Sequence, residues 1–410
     1  MPSRRPVRFR DALLAWLAVG LIGCDRPSPP TPIDGGADAV APPRKQSRPT
    51  PSDAADGGLL ARALPRVDHR GGPFLEHPRI VTVTFTNDDP KIVARLEQLG
   101  SMISTSAWWR TVTEGYCAPD GRCIGAATTA PPIRLPDVLP RELRDSDVDA
   151  LLRRHAAAGA LGKLDASSLV VVYLPGGVRL AAASGPFCER GPRAFHRSLE
   201  IDGGTRVAFA AIPRCGGETD VTATASHEII EATTNPFPAA RGFALLGGSA
   251  ASGFSAAGLE PVDPCGLVTM NDHLTNEGGF ILQRVWSNDA AAKGHDPCVP
   301  SRPEHTYAML VPREPGVRIA REGESAEVEL DATCAAPVGS WTVSAFDVTG
   351  QQDGERYVEA TLGRSTVTAG DSTILTVRLK KASPHHKVIV GLVSTVGVRS
   401  NMWPLLVVTP

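Results

Sequence analysis

One run of residues constrains this chain more than any other: Thr222-Ala-Thr-Ala-Ser-His-Glu-Ile-Ile-Glu-Ala-Thr-Thr-Asn-Pro236. Asn235-Pro236 is a stop signal, so the run before it is expected to be helical. Side chains four positions apart on a helix share one face. His227 and Glu231 therefore point the same way and can bind one cation, with Glu228 beside the first of them. His227 is set among small and apolar residues, which separates it from an ordinary solvated helix face carrying two glutamates.

The spacing is that of the H-E-x-x-H metallopeptidases with the second histidine replaced by glutamate, where the residue corresponding to Glu228 is the general base. A third ligand is expected from Glu260-Pro261-Val262-Asp263-Pro264-Cys265. Its two prolines predict an extended loop rather than a helix. Either Glu260 or Asp263 could complete a three-ligand site that keeps one position for water. One imidazole and two carboxylates form a harder donor set than the usual zinc peptidase. Zinc is the default metal, with manganese or calcium as alternatives. His196 is a secondary catalytic candidate, as an oxyanion partner or a further ligand, set against the commoner structural role of a lone histidine. Trp108, Trp109 and Trp286 read as core, and Gln283 and Asn288 as local hydrogen-bonding residues.

The N-terminus carries Arg4, Arg5, Arg8 and Arg10, an apolar run from Ala12 to Ile22, and then Leu21-Ile22-Gly23-Cys24. A basic region, a short apolar region and a small residue before the cut define a signal peptide, expected over residues 1–23. The apolar run is too short for a bilayer span, which takes about 20 residues. The Leu-Ile-Gly-Cys ending resembles the bacterial lipobox, which implies cleavage before Cys24 and lipid on its thiol. Residues 24–77, rich in Pro, Ala, Gly, Asp and Ser, are expected to be a disordered tether, because such composition cannot bury enough surface to offset its ordering entropy. The expected location is the cell envelope, lipid-anchored and facing the periplasm or the extracellular space. Asp25 resembles an inner-membrane retention signal of some bacteria. Seven cysteines follow Cys24. In an oxidising compartment they are expected to pair. Sequence does not fix the connectivity: nearest-neighbour pairing would give Cys117–Cys123, Cys188–Cys215 and Cys265–Cys298 and leave Cys334 over, and the alternative is that several stay as buried thiols. No Cys-x-x-Cys occurs, which argues against a cysteine zinc cluster. A net charge of −2 and no basic stripe exclude a nucleic-acid binder.

Two folded units are expected. Residues 78–303 read as α/β, a mixed sheet with helices. Arg79 to Thr86 alternates as a strand, Asp89-Pro90 opens a helix, and Ser146 with Asp149 resembles a capping box. Leu169–Leu174 and Val207–Ile212 are short apolar runs suited to buried strands. Residues 304–410 read as an all-β, immunoglobulin-like sandwich with strands at Thr306–Val311, Ser325–Asp331, Ser340–Asp347, Ser372–Leu379, Lys387–Ser394 and Leu405–Thr409.

An ordered set of segments carries a resemblance. These are Trp108-Trp109-Arg110-Thr111-Val112; Phe187-Cys188 with Ala194-Phe195-His196; Ser226 to Glu231 through Asn235-Pro236; Glu260 to Cys265; and Phe280-Ile-Leu-Gln283-Arg-Val-Trp286-Ser-Asn288, with Cys298 last. Across about residues 78–300 the chain resembles the Exordium (phosphate-induced protein) family and its bacterial relatives. The resemblance implies an extracellular α/β domain of metallopeptidase type, whose His-Glu-x-x-Glu helix and Glu-x-x-Asp segment belong together. It brings no established reaction, and the prolines around Asp263 depart from the family pattern. Two functions fit. One is a metal-dependent hydrolase with His227, Glu231 and either Glu260 or Asp263 as ligands and Glu228 as base, acting on peptide, protein or cell-wall glycan. The other is a non-catalytic surface-binding lipoprotein with a structural or vestigial metal site.

Overall fold

The computed structural model describes residues 57–182, 185–188, 193–246, 253–254, 260–270, 272–301, 307–314 and 316–410. The predicted leader, Cys24 and the tract up to residue 56 lie outside the described residues. The described chain is a mixed α/β fold built around several β-sheets, with few helices. Among its helices, none is long and apolar enough to cross a membrane.

Strands Arg79–Phe85, Ser168–Tyr173 and Thr205–Ile212 run parallel at the centre of the largest sheet, and Phe195–Ile201 adds an antiparallel edge. Both faces of Arg79–Phe85 are covered. Val81, Val83 and Phe85 pack into one core and Ile80 into another, as expected for a parallel strand between layers. The helix expected after Asp89 spans Pro90–Ile103, with the Asp89 carboxylate accepting from the Lys91 N–H at 2.8 Å. The helix expected to open at Ser146 starts earlier, at Asp145–Ala157. There it is Asp147, not Asp149, that reaches back to the Arg144 N–H. Trp108, Trp109 and Trp286 are fully buried, as expected of core residues.

The tether was expected to run to residue 77, but the fold begins some twenty residues earlier. Helix Gly58–Ala63 and strand Arg66–His69 are ordered parts of it, and Leu59, Leu60, Leu64, Val67, Phe74 and Leu75 are buried. The strand pairs antiparallel with Phe243–Leu246, and the Asn288 side chain bonds both the N–H and the carbonyl of Val67. A strand whose partners lie so far along the chain leaves no local pattern, and the averaged Pro/Gly/Ala composition hides the short apolar run.

Beyond residue 306 the chain forms a four-stranded sheet (Ala308–Pro312, Ser325–Cys334, Ser372–Leu379, Val358–Leu362) and a five-stranded one (Gly316–Arg318, Arg399–Val408, Lys387–Val396, Trp341–Asp347, Thr366–Val367). The last strand is longer than expected. Gly316–Arg318, Val358–Leu362, Thr366–Val367 and the helix Val348–Asp353 were not foreseen. The boundary expected at residue 303 does not divide the core. One cluster of buried side chains continues from Leu59 to Val407. Phe254 stacks edge-on against both Trp286 and Trp403, and Arg399 bonds Asp272 at 2.7 Å. Leu267 and Met270 pack against Ile389, Val393 and Met402 of the C-terminal sheet and Val348 of the helix Val348–Asp353.

Cysteines pair as nearest neighbours in sequence: Cys117–Cys123, Cys188–Cys215 and Cys265–Cys298. Cys334 is buried and stays outside these bridges. Cys188–Cys215 ties the turn before the strand Phe195–Ile201 to the segment before the helix Glu218–Thr234. Cys265–Cys298 spans 33 residues and anchors the short helix Asp263–Val268. Closing a loop of that length restricts the unfolded chain by about 3–4 kcal/mol. The double variant Cys265→Ser/Cys298→Ser should lose about that much in urea unfolding; an unchanged midpoint would contradict the account.

Candidate metal centre

The helix Glu218–Thr234 runs through the middle of the protein, and every residue from Val221 to Thr234 is buried. Its threonines are indifferent helix formers. Packing overrides that preference, and Thr233 and Thr234 hydroxyls bond back to the carbonyls of Ile229 and Ile230 at 2.7 and 3.0 Å. Glu218 and Asp220 in the first turn complement the helix dipole. The helix is held to strand Phe280–Gln283 by its own hydroxyls. Thr222 donates to Ile281 O at 2.8 Å, and Ser226 Oγ accepts from the Gln283 N–H at 2.8 Å. Asn235 ends it, its N–H returning to Glu231 O at 2.7 Å.

This framework brings six ionisable side chains together. His227 Nε2 lies 3.0 Å from Glu231 Oε1 one turn on, and 3.9 Å from Asp263 Oδ1. His196, on the edge strand Phe195–Ile201, places Nδ1 at 3.2 Å from Glu228 Oε2 and 3.6 Å from Glu231 Oε2. Its Nε2 is 3.7 Å from Glu260 Oε1. Two overlapping groups have mutual ligand-atom distances within 4.8 Å: His227, Glu231 and Asp263, and His196, Glu228 and Glu231. Glu231 belongs to both. Glu260 belongs to neither; its Oε1 accepts instead from Asn235 Nδ2 at 2.9 Å. Of the two acids left open by sequence, Asp263 is the one placed with His227 and Glu231.

Asp263 does not sit in an extended loop. It opens the short helix Asp263–Val268, with Pro264 inside the first turn. Proline there costs nothing, because the N–H it lacks has no helical partner anyway. The helix is fixed by the Cys265 bridge and by Leu267 against the C-terminal sheet. Side-chain exposure grades across the site. His227, Glu228 and Glu231 are 3, 2 and 1 % exposed, His196 6 %, Asp263 12 % and Glu260 22 %, so the cluster meets solvent on the Glu260 side.

So many carboxylates in one buried place cannot all stay ionised unaided. Burial, then the charges of Glu260, Asp263 and Glu228, drive the Glu231 carboxyl well above the usual range. Burial likewise raises Asp263 to about 6, against the opposing pull of His227. For His196 burial acts downward, but the charge of Glu260 and the hydrogen bond to Glu228 outweigh it and raise its pKa. Protons or a cation must supply the missing positive charge. Glu231 Oε1, the oxygen that faces His227, is buried without a hydrogen bond, which suits an atom that ligates. The donor set of imidazole and carboxylate does not fix which divalent cation would bind.

Gln283 orients the first histidine. Its Oε1 lies 3.1 Å from His227 Nδ1, and its Nε2 donates to Val262 O at 3.4 Å. With the ring proton on Nδ1 given to Gln283, the Nε2 lone pair faces Glu231 and Asp263, as ligation requires. Trp108 Nε1 donates to the Gln283 carbonyl at 2.8 Å and fixes that strand. Nothing local in the sequence marks Gln283 as more than a hydrogen-bonding residue, because His227 lies 56 positions away. Partners of this kind typically carry about 10–100-fold in metal affinity. Gln283→Leu should weaken cation binding by that factor in a competition titration with a chromophoric chelator; equal affinity would show that His227 needs no such support.

No protein-family profile matches the sequence, and no curated protein matches it. Some solved structures resemble part of the chain. A chimeric titin Z1Z2 carrying a decorin peptide is 16 % identical, with a TM-score of 0.17 over 26 % of this chain and 97 % of that one. The titin M3 domain is 15 % identical, with a TM-score of 0.15 over 23 % of this chain and 86 % of that one. A Bacteroides ovatus GH5 xyloglucanase in complex with a heptasaccharide is 7 % identical, with a TM-score of 0.17 over 25 % of this chain and 19 % of that one. Likeness this slight bears on no functional question.

Proposed function

We propose that this protein is an exported, lipid-anchored, metal-dependent hydrolase of metallopeptidase type, acting on peptide or another surface substrate in the cell envelope. The observation that carries the reading is the convergence of His227, Glu231 and Asp263, with Glu228 adjoining them on the same helix. A divalent cation bound there would polarise a substrate carbonyl and acidify water. Glu228 accepts the proton of the attacking water at its carboxylate and returns it to the leaving group. His196, hydrogen-bonded to Glu228 through Nδ1, holds that carboxylate in place and offers positive charge to the developing oxyanion. The resemblance to the Exordium family, and the immunoglobulin-like reading of the C-terminal sheets, belong to the same proposal. In it the C-terminal sheets brace the Asp263 helix rather than act as a detached spacer.

Export is supported by the three cysteine pairs, which suit an oxidising compartment. Attachment through Cys24 predicts that the protein fractionates with membranes and that Cys24→Ser releases it to the soluble fraction; a soluble wild type would overturn the anchor. Burial of His227, Glu228 and Glu231 favours one second reading, a structural cation in a binding protein. Peptide hydrolysis assayed with and without chelator separates the two. Chelator-sensitive turnover supports the hydrolase. Chelator-sensitive stability without turnover supports the binder.

A further inference from the structure

Glu231 faces two ways. Its Oε1 approaches His227 Nε2 at 3.0 Å, while Oε2 lies 3.6 Å from His196 Nδ1, and each oxygen belongs to its own group of three ligands. We infer that the site holds two divalent cations, bridged by the Glu231 carboxylate, with His227 and Asp263 on the first and His196 and Glu228 on the second. The inference rests on the reading of His227, Glu231 and Asp263 as a cation site and adds to it.

Three observations carry it. First, the second group is not a cluster of acids alone. It contains a buried imidazole whose Nδ1 faces Glu228 Oε2 at 3.2 Å and Glu231 Oε2 at 3.6 Å, while its Nε2, 3.7 Å from Glu260 Oε1, is buried without a hydrogen bond. Second, the groups overlap at one carboxylate, and two-metal hydrolytic centres hold their ions about 3.5–4 Å apart, a span one carboxylate can bridge. Third, the charges balance. With both imidazoles neutral, as ligation requires, Glu228, Glu231, Asp263 and the partly exposed Glu260 bring four negative charges, of which one divalent cation leaves two unbalanced and two cations leave none. Uncompensated charge in a buried place is costly. In this form His196 Nδ1 is an unprotonated ligand rather than the hydrogen-bond partner of Glu228, and the second cation supplies the positive charge that His196 offers when only the first is bound. The chemistry is that of hydrolytic enzymes in which two metal ions clamp the attacking and leaving oxygens.

The test uses Mn²⁺ alone, titrated into the purified protein and followed by binding stoichiometry and electron paramagnetic resonance. Wild type should take up about two equivalents and show an exchange-coupled spectrum. His196→Ala leaves His227, Glu231 and Asp263 in place and should bind about one, with the spectrum of isolated Mn²⁺. Circular dichroism verifies its fold, and His196→Gln replaces it if alanine unfolds the strand. A wild type saturating at one equivalent, with His196→Ala unchanged, overturns the second cation and leaves the first. Two equivalents without coupling overturn the Glu231 bridge. A wild type binding none overturns both readings.

Discussion

Glu231→Gln should cost the protein its cation. An affinity loss beyond the roughly 10–100-fold expected for a supporting residue should appear by competition titration, because Glu231 is common to both ligand groups. The variant keeps the side-chain volume, so packing around a residue that is 1 % exposed is preserved. Its effect on stability should then have two signs. Without cation, wild type buries a carboxyl crowded by Glu260, Asp263 and Glu228, and removing it relieves that crowding, so the variant should melt above chelated wild type. With saturating cation, wild type gains binding free energy that the variant lacks, so the order should reverse. Melting curves with and without chelator check both. Curves that stay in one order would mean that Glu231 is an ordinary buried carboxyl.

Glu228→Gln should separate binding from chemistry. A positioned general base contributes about 10²–10⁴-fold, and turnover should fall within that range while the cation held by His227, Glu231 and Asp263 stays bound. Glutamine keeps the shape and the hydrogen bond to His196 but cannot take up a proton at neutral pH. Peptide hydrolysis and metal content measured on one preparation decide the matter. Unchanged turnover would remove Glu228 from the mechanism, and loss of all metal would make it a ligand of the first cation rather than a base.

The site helix was legible because its signal is local. Four-residue spacing puts His227 and Glu231 on one face wherever the helix packs, and Asn235-Pro236 marks its end. The cysteine pairs are those of nearest neighbours along the chain, one of several connectivities that sequence leaves open. Asp263 was harder, because Pro264 reads equally as a loop residue and as the first turn of a helix. Only the packing of Leu267 and the Cys265 bridge select the helix. Gln283 and Asn235 act through partners distant in sequence, His227 and Glu260, and no periodicity announces such contacts. The same limit hid Arg66–His69, whose ladder lies on Phe243–Leu246, and the sharing of one core between the two halves. Alternation along a strand says that a face is buried, not against what.

The most direct test is crystallographic. Crystals grown or soaked with zinc or manganese, with data collected at the metal's absorption edge, should show an anomalous peak about 2.0–2.2 Å from His227 Nε2, Glu231 Oε1 and an Asp263 oxygen. Saturated crystals with no peak among those three side chains would contradict the account.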